Sequence, residues 1–312
     1  MKIAFMGTPE FAVPSLKALA AHFSIAGVFC QPDRPKGRSG QPSACPVKQA
    51  ALMLDLPVFQ PARASAPEVI QWVLSEEIDW LVVAAYGQIL SQALLDAPRL
   101  GCVNVHASLL PRWRGASPIH HVLLHGESET GISLMGMVQK LDAGPVYVQA
   151  KLSVGKGEGR SALESRLAEL GANLLVEHLP NLHTINPQIQ DESQVTYAPI
   201  IKKAMGNLDW NTSATELCHQ IRAFEGWPGV WATFRDQAIR IDQAEAIATH
   251  DSGSAGHFLL EPKKELLVRC ANQSALRILK LQPAAKKLLT ARDFINGFRP
   301  QADEPWSNGN LQ

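Results

Sequence analysis

Leu81-Val82-Val83-Ala84-Ala85 follows Trp80 with no polar side chain to turn toward water. A strand with one wet face alternates apolar and polar residues, so an unbroken apolar run fits a strand covered on both faces. Related runs recur at Lys2–Gly7, Ala26–Gln31, Pro57–Gln60, Trp80–Gly87, Gly101–His106, Ile132–Val138 and Pro145–Val154. Helical patterns separate them, with readable starts at Thr8-Pro9, Ser117-Pro118 and the capping box Ser161-x-x-Glu164, which opens a helix to about Leu182. Strand alternating with helix predicts an α/β fold over residues 1–185: an open, doubly wound, mostly parallel sheet.

The rhythm then changes. Residues 186–207 have no clear period and contain Asn186-Pro187, Pro199 and Gly206-Asn207, so they predict a linker. From 208 to 312 one amphipathic helix, Ser213–Phe224, precedes short runs at Val230–Phe234, Ile239–Ala244, His257–Leu260, Leu266–Cys270 and Leu276–Leu281. That spacing predicts a small antiparallel β-barrel. The tail from Pro300 onward is polar and predicts loose chain.

Composition narrows the function classes. The 312 residues suit two domains, and 46% hydrophobic residues supply a proper core. Lys plus Arg number 29 against 29 Asp plus Glu, which excludes a protein that coats nucleic acid over its whole surface but not a local basic patch. No apolar run approaches the roughly 18 residues of a membrane helix, and the N-terminus reads as a first strand, not a signal peptide. The five cysteines are scattered without a CxxC, so a reduced, cytoplasmic setting is expected.

One segment carries most of the chemistry. In Gly101–His106 side chains alternate, so Asn104 and His106 share one face and Val103 and Val105 the other. Ligands of open parallel sheets bind beyond the carboxyl ends of the strands, where His106 sits. Two polar side chains there need partners: either neighbouring loops, as a structural pair, or a reacting substrate. Asp142, in Lys140-Leu141-Asp142-Ala143-Gly144, reaches the same crevice if the strand before it lies beside Gly101–His106; otherwise it is a turn former. A carboxylate beside an imidazole fixes its tautomer and favours its charged form.

Competing signals are weaker. Gly7-Thr8-Pro9 sits where a dinucleotide fingerprint would, without the GxGxxG spacing. His121 and His125 have metal-ligand spacing but no intervening Glu and no evident third ligand, so no metal is expected. Ser108 lacks a GxSxG elbow, and Cys102 is expected to pack. Arg34, Lys36, Arg38 and Lys48 make residues 30–48 basic, and Arg269, Arg277, Lys280, Lys286, Lys287, Arg292 and Arg299 do the same for 269–299. Either stretch is a solvated face or part of a platform for a phosphate backbone.

Asn104-x-His106-x-Ser108-Leu109-Leu110-Pro111-x-x-x-Gly115-x-x-Pro118, with Asp142-x-Gly144 downstream, resembles the signature of the folate-dependent formyltransferases. Gly7-Thr8-Pro9-Glu10-Phe11-Ala12, Gln31-Pro32-Asp33-Arg34-Pro35-x-Gly37-Arg38, Ala85-Tyr86-Gly87-x-Ile89-Leu90, Pro111-Arg112-Trp113-Arg114-Gly115-Ala116, Trp227-Pro228 and Leu281-Gln282-Pro283-Ala284 are similar to the branch that acts on methionyl-tRNA. The resemblance runs over essentially the whole chain. It implies a Rossmann-like first domain that binds 10-formyltetrahydrofolate and an OB-like second domain that helps hold initiator tRNA. It further implies transfer of the formyl group to the α-amine of methionine through a tetrahedral intermediate, with no metal, by a monomer.

On the matching positions the resemblance makes Asn104, His106 and Asp142 the catalytic trio. It places Ser108, Leu109, Leu110 and Pro111 against folate, together with Tyr86, Gly87, Gln88, Ile89 and Leu90. It directs Arg34, Lys36 and Arg38 toward tRNA, joined by Lys286 and Lys287 of the second basic stretch. The chain departs from the family pattern at Gly40-Gln41, where further lysines are usual, and at Ile200, where Lys is common. A formyltransferase for an amino-sugar nucleotide and a formyl-folate hydrolase would use the same trio, whereas a non-catalytic RNA-binding protein would not need it.

Overall fold

Strands β1 (Lys2–Gly7) and β6 (Trp80–Ala84) pair in parallel at the centre of a sheet, and Ile3 to Met6 and all of β6 are buried, as their unbroken apolar sequences require. The structure is a computed structural model that describes residues 1–35, 42–260 and 265–310. Contacts divide the chain into two units: Met1–Pro118, Glu129–Val154 and Leu163–Ala198 form the first, and Ile119–Ser128, Gly155–Ala162 and Pro199–Gln312 the second.

In chain order β1 is followed by α1 (Val13–His22), β2 (Ser24–Phe29), β3 (Arg34–Pro35), β4 (Pro42–Ser43), α2 (Pro46–Met53), β5 (Val58–Phe59), α3 (Pro67–Ser75) and β6. Next come α4 (Gln92–Leu95), β7 (Gly101–His106), α5 (Pro118–Leu124), β8 (Glu129–Gly136), β9 (Val146–Ser153) and α6 (Arg160–His178). The main sheet of the first unit has the order β5-β2-β1-β6-β7-β8-β9. Its strands are parallel from β5 to β7, while β8 runs antiparallel to β7 and β9 antiparallel to β8. The expected mostly parallel α/β sheet is therefore present. On one side of it Met6, Phe29, Leu81, Val83, Tyr86 and Leu90 pack together, with the Phe29 ring 5.0 Å from Phe59 and 5.1 Å from Trp72.

Thr8 does not cap a helix. A 3₁₀ turn, Glu10–Ala12, begins after Pro9, one residue beyond the reach of a Thr8 cap. The Thr8 hydroxyl instead donates to the Tyr86 carbonyl (3.0 Å) and accepts from the Gln31 N–H (3.4 Å), tying together the loops that follow β1, β6 and β2.

In the second unit α7 (Ala214–Ala223) starts at the Ser213–Glu216 capping box. It is followed by β10 (Val230–Phe234), β11 (Gln237–Ala248), β12 (Phe258–Leu260), β13 (Leu266–Cys270), β14 (Ser274–Pro283), β15 (Leu289–Thr290) and α8 (Ala291–Phe298). The antiparallel order β10-β11-β14-β13-β12, with β15 on β14, makes an open half-barrel where the spacing predicts a small antiparallel barrel.

The described part of the tail, residues 301–310, packs on the second sheet, against the expectation of loose chain. Phe258 N–H donates to Glu304 O and Asp303 N–H to Phe258 O on the β12 side, while Thr233 and Ser307 exchange backbone hydrogen bonds on the β10 side. The tail thus pairs with the outer edges of both end strands, meeting β10 at Thr233 beside the Leu208 N–H to Trp231 O contact. Trp306 anchors it in an aromatic core with Phe234 (4.8 Å), Phe294 (5.6 Å) and Trp210 (6.0 Å). One apolar ring among polar neighbours gives no periodic signal, so the sequence alone concealed this element.

His120 gives the second unit a pH dependence. Its ring lies 6.4 Å from Phe224, and burial, then the Arg160 charge and His121, push its pKa down to about 4. An unfolded imidazole titrates near ~6.5, so the unfolded chain takes up the proton first. Stability from this group is complete above that value and falls as pH drops from about 6.5 toward 4. Thermal unfolding of His120→Gln should lose less stability over that window than the parent chain; an identical pH profile would refute the assignment.

Candidate active site

All residues of the candidate site lie in the first unit. Strand β7 ends at His106, and Asn104 shares its face two residues earlier. The His106 side chain is buried, and its Nε2–H donates to the Trp113 carbonyl at 3.0 Å. A carbonyl only accepts, so this contact places the neutral ring's hydrogen on Nε2 and leaves Nδ1 to gain or lose a proton. Nδ1 faces Asp142 Oδ2 at 3.7 Å, within ion-pair range but longer than a hydrogen bond. Asp142 Oδ2 is itself held by the Gly115 N–H at 2.8 Å. The Asn104 amide is half-buried and has no hydrogen-bond partner among the described residues.

Loop geometry explains how a residue so distant in sequence arrives. Because β8 is antiparallel, its last residue, Gly136, lies opposite Val103 and not beside His106. Residues 137–142 must return along β7 to bring Asp142 to the imidazole. Gly144 makes that return possible: a Cβ there would collide with the Gly136 carbonyl oxygen. Gly115, at φ +123°, is constrained similarly, since a Cβ would come within 2.7 Å of Ala198 O. The spaced glycines of the sequence signature are close backbone approaches that set where His106, Asp142 and the Trp113–Gly115 turn meet.

Ser108 is fully buried and its hydroxyl donates to the Arg112 carbonyl at 2.6 Å. Leu109 and Pro111 are half-buried and Leu110 is buried. Ser133 pins this turn, donating to Ser108 O (2.6 Å) and accepting from Leu110 N–H (3.1 Å), while Gln149 donates to Leu110 O (2.9 Å). In the loop after β6, Tyr86 and Leu90 belong to the hydrophobic core, whereas Gly87 and Ile89 are exposed. Gln88 is half-buried and its side chain spans to Ala64 N–H (2.6 Å) and Gln31 (3.2 Å).

The sequence reading missed the supports behind Asp142. Arg114 is completely buried; its Nε donates to Gln190 Oε1 at 2.9 Å and its Nη2 to Glu192 at 3.0 Å. Gln190 Nε2 donates to the carbonyls of Asp142 (2.8 Å) and Gly144 (2.7 Å). Gln190 and Glu192 stand in the aperiodic stretch after residue 185, where no spacing marks them. The Val146–Gln188 and Arg114–Tyr197 backbone bridges tie that stretch to the first unit.

Of the proposed tRNA contacts, Arg34 is exposed on β3, and Lys36 and Arg38, like Gly40 and Gln41, lie outside the described residues. Lys286 and Lys287 are exposed, with the Lys286 ammonium 4.9 Å from the Phe298 ring. Elsewhere in that basic stretch Arg269 pairs with Asp251 and Asp303, and Arg277 with Glu245 and Glu265, so these cations serve the fold. All five cysteines are free thiols. Burial pushes Cys102 up to about 12, which suits packing and not nucleophilic attack. His121 Nε2 faces the Pro199 carbonyl at 3.2 Å, and no group of three or more metal-ligating side chains occurs among the described residues. No helix among the described residues is long and apolar enough to cross a membrane.

Comparison with known proteins gives a consistent likeness. The family described as formyl transferase matches residues 1–179, and the formyl transferase C-terminal domain matches residues 200–299. A methionyl-tRNA formyltransferase of Methylococcus capsulatus is 46% identical over 299 residues, covering 95% of this chain and 96% of its own length. That of Bacillus subtilis is 41% identical over 306 residues, covering 97% and 96%. Among solved structures, the sugar 3N-formyl transferase WlaRD aligns with a TM-score of 0.65 at 15% identity, over 92% of this chain and 99% of that one. HypX from Aquifex aeolicus in complex with tetrahydrofolic acid aligns with a TM-score of 0.61 at 13% identity, over 97% of this chain and 48% of that one. At such identities the last two establish a shared fold.

Proposed function

This chain belongs to the formyl transferase family, and we propose that it transfers the formyl group of 10-formyltetrahydrofolate to the α-amine of methionine on initiator tRNA. The observation that carries this reading is the Asp142 carboxylate at ion-pair distance from His106, on the strand that also bears Asn104. Relatives named methionyl-tRNA formyltransferase match nearly the whole chain, which selects the acceptor.

The chemistry divides among three side chains. Folate supplies an activated formyl carbon. An α-amine titrates near ~8, so a neutral nucleophile is available without a strong base. Attack puts negative charge on the formyl oxygen, and the unpartnered Asn104 amide is a neutral donor for it, a task worth on the order of 10²–10³ in rate. His106 Nδ1 takes the proton lost by the amine and returns it to the departing folate nitrogen. Asp142 faces the imidazolium formed between those two events. The charge on this trio closes without a metal.

Folate is assigned to the pinned Ser108–Pro111 turn and to the outward parts of the loop after β6, Gly87, Gln88 and Ile89, with Tyr86 and Leu90 supporting them from the core. Residues 1–185 supply the catalytic domain and 208–312 the tRNA-binding domain of a cytoplasmic monomer; of the expected linker, 186–207, the part up to Ala198 belongs to the first unit. Arg34, Lys36, Arg38, Lys286 and Lys287 contact the tRNA backbone.

Mass spectrometry of charged initiator tRNA incubated with the protein and formyl-folate should show one formyl group on the methionine amine. Formate release with the methionine unmodified would favour a hydrolase, and a formylated amino-sugar nucleotide would favour the sugar branch. Lys286→Ala combined with Lys287→Ala should raise KM for tRNA and reduce the salt slope of log KM by on the order of 1 to 2, as for one or two lost phosphate contacts. An unchanged slope would remove both lysines from the interface.

A further inference from the structure

We propose that Gln190, with its amide oriented by the buried guanidinium of Arg114, is the positioning residue that holds Asp142 against His106. The proposal rests on the catalytic trio argued above and adds a residue that touches no reacting atom.

Asp142 needs such a device. Its φ is +48°, in the left-handed region that costs a residue with a Cβ free energy unless its surroundings over-determine it. Its carboxylate is not hydrogen-bonded to the imidazole, so His106 does not hold it in place. Two contacts do. One is the Gly115 N–H on Asp142 Oδ2. The other is Gln190, whose single Nε2 spends both hydrogens on the Asp142 and Gly144 carbonyls, clamping the two ends of the Asp142-Ala143-Gly144 turn.

An amide can point either way, and only one orientation works here. With Nε2 and Oε1 exchanged, the oxygen would face two carbonyl oxygens. Arg114 settles the choice, because its Nε–H requires an acceptor and so draws Oε1 to itself at 2.9 Å. Arg114 is completely buried and held at its far end by Glu192, which also takes the Lys140 ammonium at 2.8 Å. The same residue therefore orders both sides of Asp142: its neighbour Gly115 supplies the N–H to the carboxylate, and its side chain aims the amide at the backbone.

Gln190→Glu isolates this role. The side chain keeps its length and gains a charge partner in Arg114, but loses both donors to the turn. Kinetics should show kcat for formyl transfer lowered about tenfold or more, with KM for folate and tRNA within about threefold of the parent. Asp142→Asn should lower kcat as well, and adding Gln190→Glu to it should lower kcat little further, because both act through one carboxylate. A crystal structure of Gln190→Glu should show the Gly115–Asp142 hydrogen bond broken. A merely structural Gln190 would give additive losses and an unfolding temperature that falls in step with kcat. Parent-like kcat, additivity, or an Asp142 still seated on Gly115 would each overturn the proposal. Parent protein that formylates no methionyl-tRNA would overturn the function instead, and the structure of the variant would still decide the role of Gln190.

Discussion

Replacing His106 with alanine should lower formyl transfer by about 10²–10⁴-fold at saturating substrate, the loss typical of a removed general acid–base. The same imidazole serves two proton transfers, so the loss should appear in kcat more than in either KM. His106 is buried and its Nε2–H satisfies the Trp113 carbonyl, so the variant also gives up packing and one hydrogen bond. His106→Asn provides the control, since its amide can still donate near that carbonyl while lacking the titratable nitrogen that faces Asp142. Both variants should lose comparable activity, and the asparagine should unfold closer to the parent. Activity within about tenfold of the parent in His106→Asn would end the mechanism argued from this site.

Trp306→Ala should destabilise the second unit by about 3–5 kcal/mol, the usual cost of emptying a buried aromatic site. Trp306 is 3% exposed and its indole N–H has no hydrogen-bond partner among the described residues, so its contribution is packing against Phe234, Phe294 and Trp210. Its ring anchors the backbone contacts beside it, the residue 306 N–H to Gly256 O bond (2.6 Å) and the paired bonds of Ser307 with Thr233. Denaturant unfolding followed by tryptophan fluorescence measures the loss. A change below about 1 kcal/mol would mean that the tail merely lies on the sheet and does not close it.

These two predictions mark what was legible in the sequence and what was not. The apolar runs around Trp80–Ala84 and Gly101–His106 announced a sheet covered on both faces, and strand alternation placed Asn104 and His106 on one side. Those inferences need only near neighbours in the chain, where side-chain period and backbone geometry are coupled directly. The motif glycines also stood out, though not the reason for them. Gly144 and Gly115 are small because the Gly136 and Ala198 carbonyls press against them, and those contacts exist only once the loops have packed.

Sequence by itself determined the class of fold and the two rhythms of the chain, and its resemblance to the formyltransferases singled out the three side chains proposed to react. Tertiary structure alone decided which nitrogen of His106 faces the Trp113 carbonyl, how an antiparallel β8 returns Asp142 to the end of β7, that Gln190 bonds the Asp142-Ala143-Gly144 turn, and that the polar tail packs on the second sheet. The physical reason is the range of the interactions. A strand or helix is written in residues two to four apart, whereas a hydrogen bond from Gln190 to Asp142 or a ring seated between Phe234 and Phe294 joins residues whose spacing in the chain carries no period at all.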